Sequence, residues 1–168
     1  RGPLLRRGDG RVLRLAPGGI GEVEALAKPN LLHAYGIADL TPYQVFTLER
    51  VRDLFVTLDP ASQFRSGFAC LSRPELLDAA LLDHMRVTAI LSVSPVTHPR
   101  LEPVLERPGF HVYRRANVLP IARVASRAEV VEDQDELVRR IALSQVPSAS
   151  LVLLDDAPAA ELAAHSQG

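Results

Sequence analysis

The stretch from Ser72 to Val93 constrains the fold more than any other part of the chain. Ser72-Arg73-Pro74-Glu75 has the form of a capping box: a hydroxyl residue, a proline suited to the first helical turn, and a glutamate that can return a bond to the cap. Leu76, Leu77, Ala80 and Leu81 behind it give an inward face to a helix over Glu75 to Met85. Val87-Thr-Ala-Ile-Leu-Ser-Val93 follows with almost no loop and reads as a mostly buried strand. A capped helix running straight into a buried strand is a helix packed on a sheet.

The same alternation extends in both directions. Val12 to Leu15 reads as a strand, and Pro17-Gly18-Gly19 opens a loop expected to continue through Pro29-Asn30. Thr41-Pro42 starts a helix whose inward face is Leu48, Val51, Phe55 and Leu58, ended by Asp59-Pro60. Pro99 to Glu106 reads as a short helical or turn segment stopped by Pro108-Gly109, Phe110 to Tyr113 as a strand, and Leu119 to Val124 as another. Asp133-x-x-Glu136 caps a helix over Leu137 to Leu143, and Ser150 to Leu154 is a final apolar strand. The expectation is an α/β fold, with a mixed, largely parallel sheet flanked by helices in a single domain. Residues 11–156 form that domain, 1–10 a frayed N-terminal segment and 157–168 a C-terminal tail or frayed helix.

Composition removes several function classes. The chain has 168 residues with 47% hydrophobic residues, enough for a core of its own. A formal net charge of −1 gives no electrostatic reason to expect nucleic acid. No run reaches the roughly 18 apolar residues of a membrane span, and no signal peptide is recognisable. The first residue is Arg1 rather than methionine, which fits either a processed or trimmed soluble protein or a piece cut from a longer chain.

No catalytic constellation emerges. Gly19-x-Gly21 follows a strand, but the third position of a dinucleotide fingerprint is Glu24, where a carboxylate would repel the pyrophosphate. His33, His84, His98, His111 and His165 lack ligand spacing, so no metal is expected, and Cys70 reads as a buried structural thiol. No serine sits in a Gly-x-Ser-x-Gly elbow. Asp155-Asp156 end a strand but point to opposite faces, and Arg114-Arg115 and Arg139-Arg140 read as solvated pairs. No catalytic residue and no cofactor is assigned. The candidate ligand-binding residues are Asn30, Tyr35, Asp39 and Tyr43, which crowd aromatic faces beside a carboxamide and a carboxylate ahead of a helix. Such groups suit a sugar. The more ordinary reading is that Asp39 and Asn30 bond backbone groups in turns while the tyrosines pack.

Three blocks, in order, resemble a known family. Gly36-Ile37-Ala38-Asp39 with Tyr43 and Arg50 resembles a Gly-Ile-x-Asp-x-x-Gly-Tyr stretch followed by arginine. Leu81-Leu82-Asp83-His84-Met85-Arg86-Val87 onward resembles a Leu-Leu-Asp-Leu-Leu-Asn-Val stretch, and Val112-Tyr113 with Leu119-Pro120-x-Ala122 a Val-Tyr-x-Asn-x-x-Ala-Leu-Pro-Arg-Ala stretch. This pattern is similar to the extracytoplasmic C-terminal region of YfhO-like bacterial polytopic membrane proteins, which look like GT-C-type glycosyltransferases. Pro42, Arg86 and Ile121 stand where the family has glycine, asparagine and arginine. The resemblance implies an extracytoplasmic domain of an integral membrane protein, inactive alone. Its partners would be the membrane-embedded remainder of the chain and a lipid-linked sugar or cell-envelope polymer. The alternatives are a soluble α/β nucleotide- or sugar-binding enzyme and a protein-interaction module.

Overall fold

The computed structural model describes residues 10–26, 31–40, 49–61, 70–116, 118–120, 122, 124–143 and 151–154. The fold is α/β, built on a mixed sheet. Strand β1 (Arg11–Leu15) leads through Ala16-Pro17-Gly18-Gly19 into helix α1 (Ile20–Leu26), then α2 (Leu31–Ala34) and the two-residue strand β2 (Ala38–Asp39). Helix α3 (Glu49–Leu58) follows, then a 3-10 turn (Pro74–Asp78), α4 (Ala80–His84), β3 (Val87–Ser92), β4 (Leu101–Arg107) and β5 (Phe110–Arg115). The chain continues through β6 (Arg127–Val130), α5 (Gln134–Ala142) and β7 (Leu151–Leu154).

The main sheet has the order β2-β1-β3-β5-β4, and β6 pairs with β7 in a second sheet of two strands. β1 is parallel to β2 and β3, β5 is antiparallel to β3 and β4, and β6 is parallel to β7. Leu71 extends the parallel pattern beside β1: its N–H donates to the Arg14 carbonyl and its carbonyl accepts from Ala16 N–H.

Side chains alternate between two faces of the sheet. On one, Leu13, Leu15, Ile90 and Tyr113 pack with Phe55 and Leu58 of α3, Leu77, Leu81 and Leu82 around α4, and Ala142 of α5. On the other, Val12, Ala89, Leu91 and Val112 pack with Leu26 of α1, with Leu32 and Ile37 against them. The strands are apolar on both faces because both are covered. No helix among the described residues is long and apolar enough to cross a membrane.

Four local expectations need correction. The glycine loop does not run to Asn30, because α1 begins at Ile20. The helix expected over Glu75 to Met85 is a 3-10 turn and a short α-helix, separated by Ala79 in an extended conformation (φ −58°, ψ 129°). Its capping box does not form: Ser72 gives its N–H and hydroxyl to the buried Asp59 at 2.6 and 3.0 Å, and Arg73 stands at the N-cap without a side-chain bond. Pro99 to Glu106 is not helical. Leu101 onward is edge strand β4, where Pro103 needs no ladder donor, and it turns into β5 through Pro108-Gly109. Gly109 at φ 73° behind proline is the type II arrangement. The described part of Leu119 to Val124 carries no strand. The Asp133 cap does form, accepting from Asp135 and Glu136 N–H at 2.9 and 3.0 Å.

Candidate functional site

Of the four candidate residues, Tyr35 and Asp39 are described; Asn30 and Tyr43 lie outside the described residues. Tyr35 ends α2. Ile37 N–H donates to the Leu32 carbonyl and Gly36 N–H to that of His33, with Gly36 at φ 69°. This is a Schellman motif, and its apolar contact is made by Leu32 and Ile37 against the sheet. The motif fixes the turn and leaves the tyrosine ring outward, 73% exposed.

Asp39 goes the other way. It pairs in register with Val12, so its side chain shares a face with Arg14, the next residue on that side of β1. The two form a forked ion pair, Nη1 to Oδ1 and Nη2 to Oδ2 each at 2.8 Å, with side chains 1% and 0% exposed. Asp39 is therefore committed to joining β2 to β1, and the structure brings it to Arg14 rather than to a surface beside Tyr35. A guanidinium inside a strand reading Val-Leu-Arg-Leu is the sequence signal for such a partner.

A second ionic node joins α4 to the sheet. Asp83 accepts from Arg100 at 2.6 and 3.2 Å and from Arg115 Nη1 at 2.5 Å. Arg115 also donates to the Leu77 carbonyl at 2.9 and 3.0 Å. Burial lowers its pKa and the Asp83 charge opposes that shift. Arg115 is thus not the solvated residue that the Arg114-Arg115 doublet suggests; Arg114 is exposed. Arg140 likewise is not simply solvated, since it holds Glu129 at 2.5 and 2.9 Å, and this bond lowers the Glu129 pKa.

The C-terminal end of the sheet is where α/β folds place ligands. Strand β1, a glycine loop and helix α1 do occur there in sequence. However, the Glu22 carboxylate accepts the Gly18 N–H at 2.9 Å, occupying the donor that a phosphate would use. Beyond it, Ser92, His111 and Glu106 lie in one row across β3, β5 and β4. His111 is 7% exposed, stacks on Tyr113 at 6.3 Å, and its buried Nδ1 has no hydrogen-bond partner among the described residues. Sequence spacing could not reveal this row, because only the register of three strands assembles it. Ser92 is fully buried, which excludes it as an accessible nucleophile in this conformation. No group of three or more metal-ligating side chains occurs among the described residues. Asp155-Asp156 lie outside them.

The acids of two resemblance blocks, Asp39 and Asp83, are thus each tied to buried arginine. Two block positions also have left-handed backbones: Gly36, and Arg86 at φ 54°. The chain matches no protein-family model, no curated protein and no solved structure.

Proposed function

We propose that this chain is a non-catalytic, extracytoplasmic domain of a multi-span bacterial membrane protein of the YfhO-like type. Its role there is to position an acceptor or a lipid-linked sugar for a membrane-embedded glycosyltransferase centre. The observation carrying this reading is at Arg86. The family has asparagine at that position, and the backbone there is left-handed at φ 54°, a conformation that asparagine adopts readily and arginine does not. A family residue that makes conformational sense where this chain departs from it supports the alignment of the block. Asp39 and Asp83 serve the framework, each paired with a buried arginine. Tyr35 offers an exposed ring, on a turn whose backbone is fixed, on which a sugar can stack.

The test is made on the intact protein in its membrane. Alkaline phosphatase fused directly after this domain is expected to be active, and a cytoplasm-only fluorescent reporter dark. The opposite pattern, or a reading frame without apolar spans of roughly 20 residues, overturns the proposal. A water-soluble short-chain polyprenyl phosphate sugar should shift the Tyr35 ring resonances, and Tyr35→Ala should abolish binding. The nucleotide-enzyme reading is disfavoured by Glu22. Nucleotides and sugar nucleotides at millimolar concentration should therefore leave the melting temperature unchanged, since binding would raise it.

A further inference from the structure

Strand β6 presents a different kind of open edge from β4. It pairs with β7 alone, and its outer edge meets no strand among the described residues. All of Arg127–Val130 is exposed, Val130 at 40%. The outer edge of β4 is protected against further pairing by Pro103, by a register slip between Pro103 and Leu105, and by the charges of Glu102, Glu106 and Arg107. β6 has neither proline nor bulge, and the Glu129–Arg140 pair holds it against α5. A sheet of two short strands is marginal by itself, and a third strand completes it.

The pattern Arg127-Ala128-Glu129-Val130 selects what completes it. Two identical edges related by a two-fold axis pair antiparallel. Opposed residues must then present their backbone groups in the same sense, so the residue numbers in each pair sum to an even value. Two central registers satisfy this. One places Ala128 opposite Ala128 of the second copy and sets Arg127 opposite the second copy's Glu129, twice. The other places Glu129 opposite itself. Opposite charges facing each other stabilise a pair and like charges destabilise it, so the first register wins. The Glu129 carboxylate retains lone pairs for a second guanidinium beyond Arg140.

We propose that β6 is a self-association edge, through which two copies of this chain join antiparallel about Ala128 into one continuous sheet, β7-β6-β6-β7. The strands are short, so the contact is weak and exchanges quickly, and its geometry is best captured by crosslinking. In the full chain carrying Cys70→Ala, Ala128→Cys should form a disulfide-linked dimer under oxidised glutathione several-fold faster than Val56→Cys. Val56, on α3 and likewise exposed, at 41%, is the control. Adding Arg127→Glu, or raising the salt to screen the charges, should slow crosslinking several-fold. Sedimentation of the unmodified chain should show a mass that rises with concentration and stays monomeric with Arg127→Glu. Crosslinking of Ala128→Cys no faster than the control, indifference to Arg127→Glu, or a constant monomer mass at the crosslinking concentration overturns the proposal.

Discussion

At the scale of single residues, two arginines define the main costs and safeguards of the fold. Arg14 is buried in a fork with Asp39, and removing one partner leaves a charge without its counterion inside the sheet layer. Asp39→Ala is expected to cost about 3–5 kcal/mol in urea denaturation, whereas replacing the pair with Arg14→Met and Asp39→Leu should recover most of that. If the single and double variants lose the same stability, the fork is not what joins β2 to β1. Arg86 is the opposite case. It pays for a left-handed conformation, and its Nε is buried without a partner among the described residues. Arg86→Asn should raise stability by about 1 kcal/mol, seen as a higher melting temperature; a lower one would count against strain at this turn.

At the scale of elements, α5 is capped at its first turn and tied to β6 near its last. Asp133 caps the first turn, and Asp133→Ala should cost about 1 kcal/mol. The Arg140–Glu129 pair gives the contact a pH dependence whose sign is fixed. The folded pKa of Glu129 is lowered below 4.5, so its stabilisation is present above pH 4.5 and is lost as pH falls through the folded value. Glu129→Gln should therefore flatten the acid side of a stability profile; an unchanged acid limb would argue that the pair is screened in solution. The same elements show what could be read from the sequence. β1, β3, β5, α5 and β7 were legible because apolar alternation or a capping box marks each one locally. β4 was not, since its state is decided by β5 across the turn and its Pro103 argues against a strand unless the edge is known to be open. The Ser72 cap failed for a similar reason: Asp59, just past the end of α3, claims both Ser72 donors. The candidate site was legible only in part. Exposure of Tyr35 follows from a local turn, while burial of Asp39 depends on an arginine 25 positions earlier that only strand pairing brings near.

At the scale of the whole molecule, ion pairs and β-ladders tie segments distant in sequence. Asp83 bonds Arg115, 32 residues away, and Asp59 bonds Ser72, 13 away. Disrupting Asp83 should consequently unfold the molecule as a unit: Asp83→Ala is expected to lower the denaturation midpoint while keeping a single transition by both far-ultraviolet circular dichroism and tyrosine fluorescence. Two separated transitions would mean that α4 and the sheet melt independently. The place of β1 in the sheet has a consequence for the order of events during synthesis. It precedes the other described strands in sequence, yet it lies inside the sheet, and apart from two residues of β2 its partners are Leu71 and β3. Loop closure over such separations slows folding. On a ribosome β1 must therefore wait, with its apolar residues uncovered, until Ser92 has emerged. A nascent chain arrested before that point should remain protease-sensitive along β1, and one arrested beyond Arg115 should protect it.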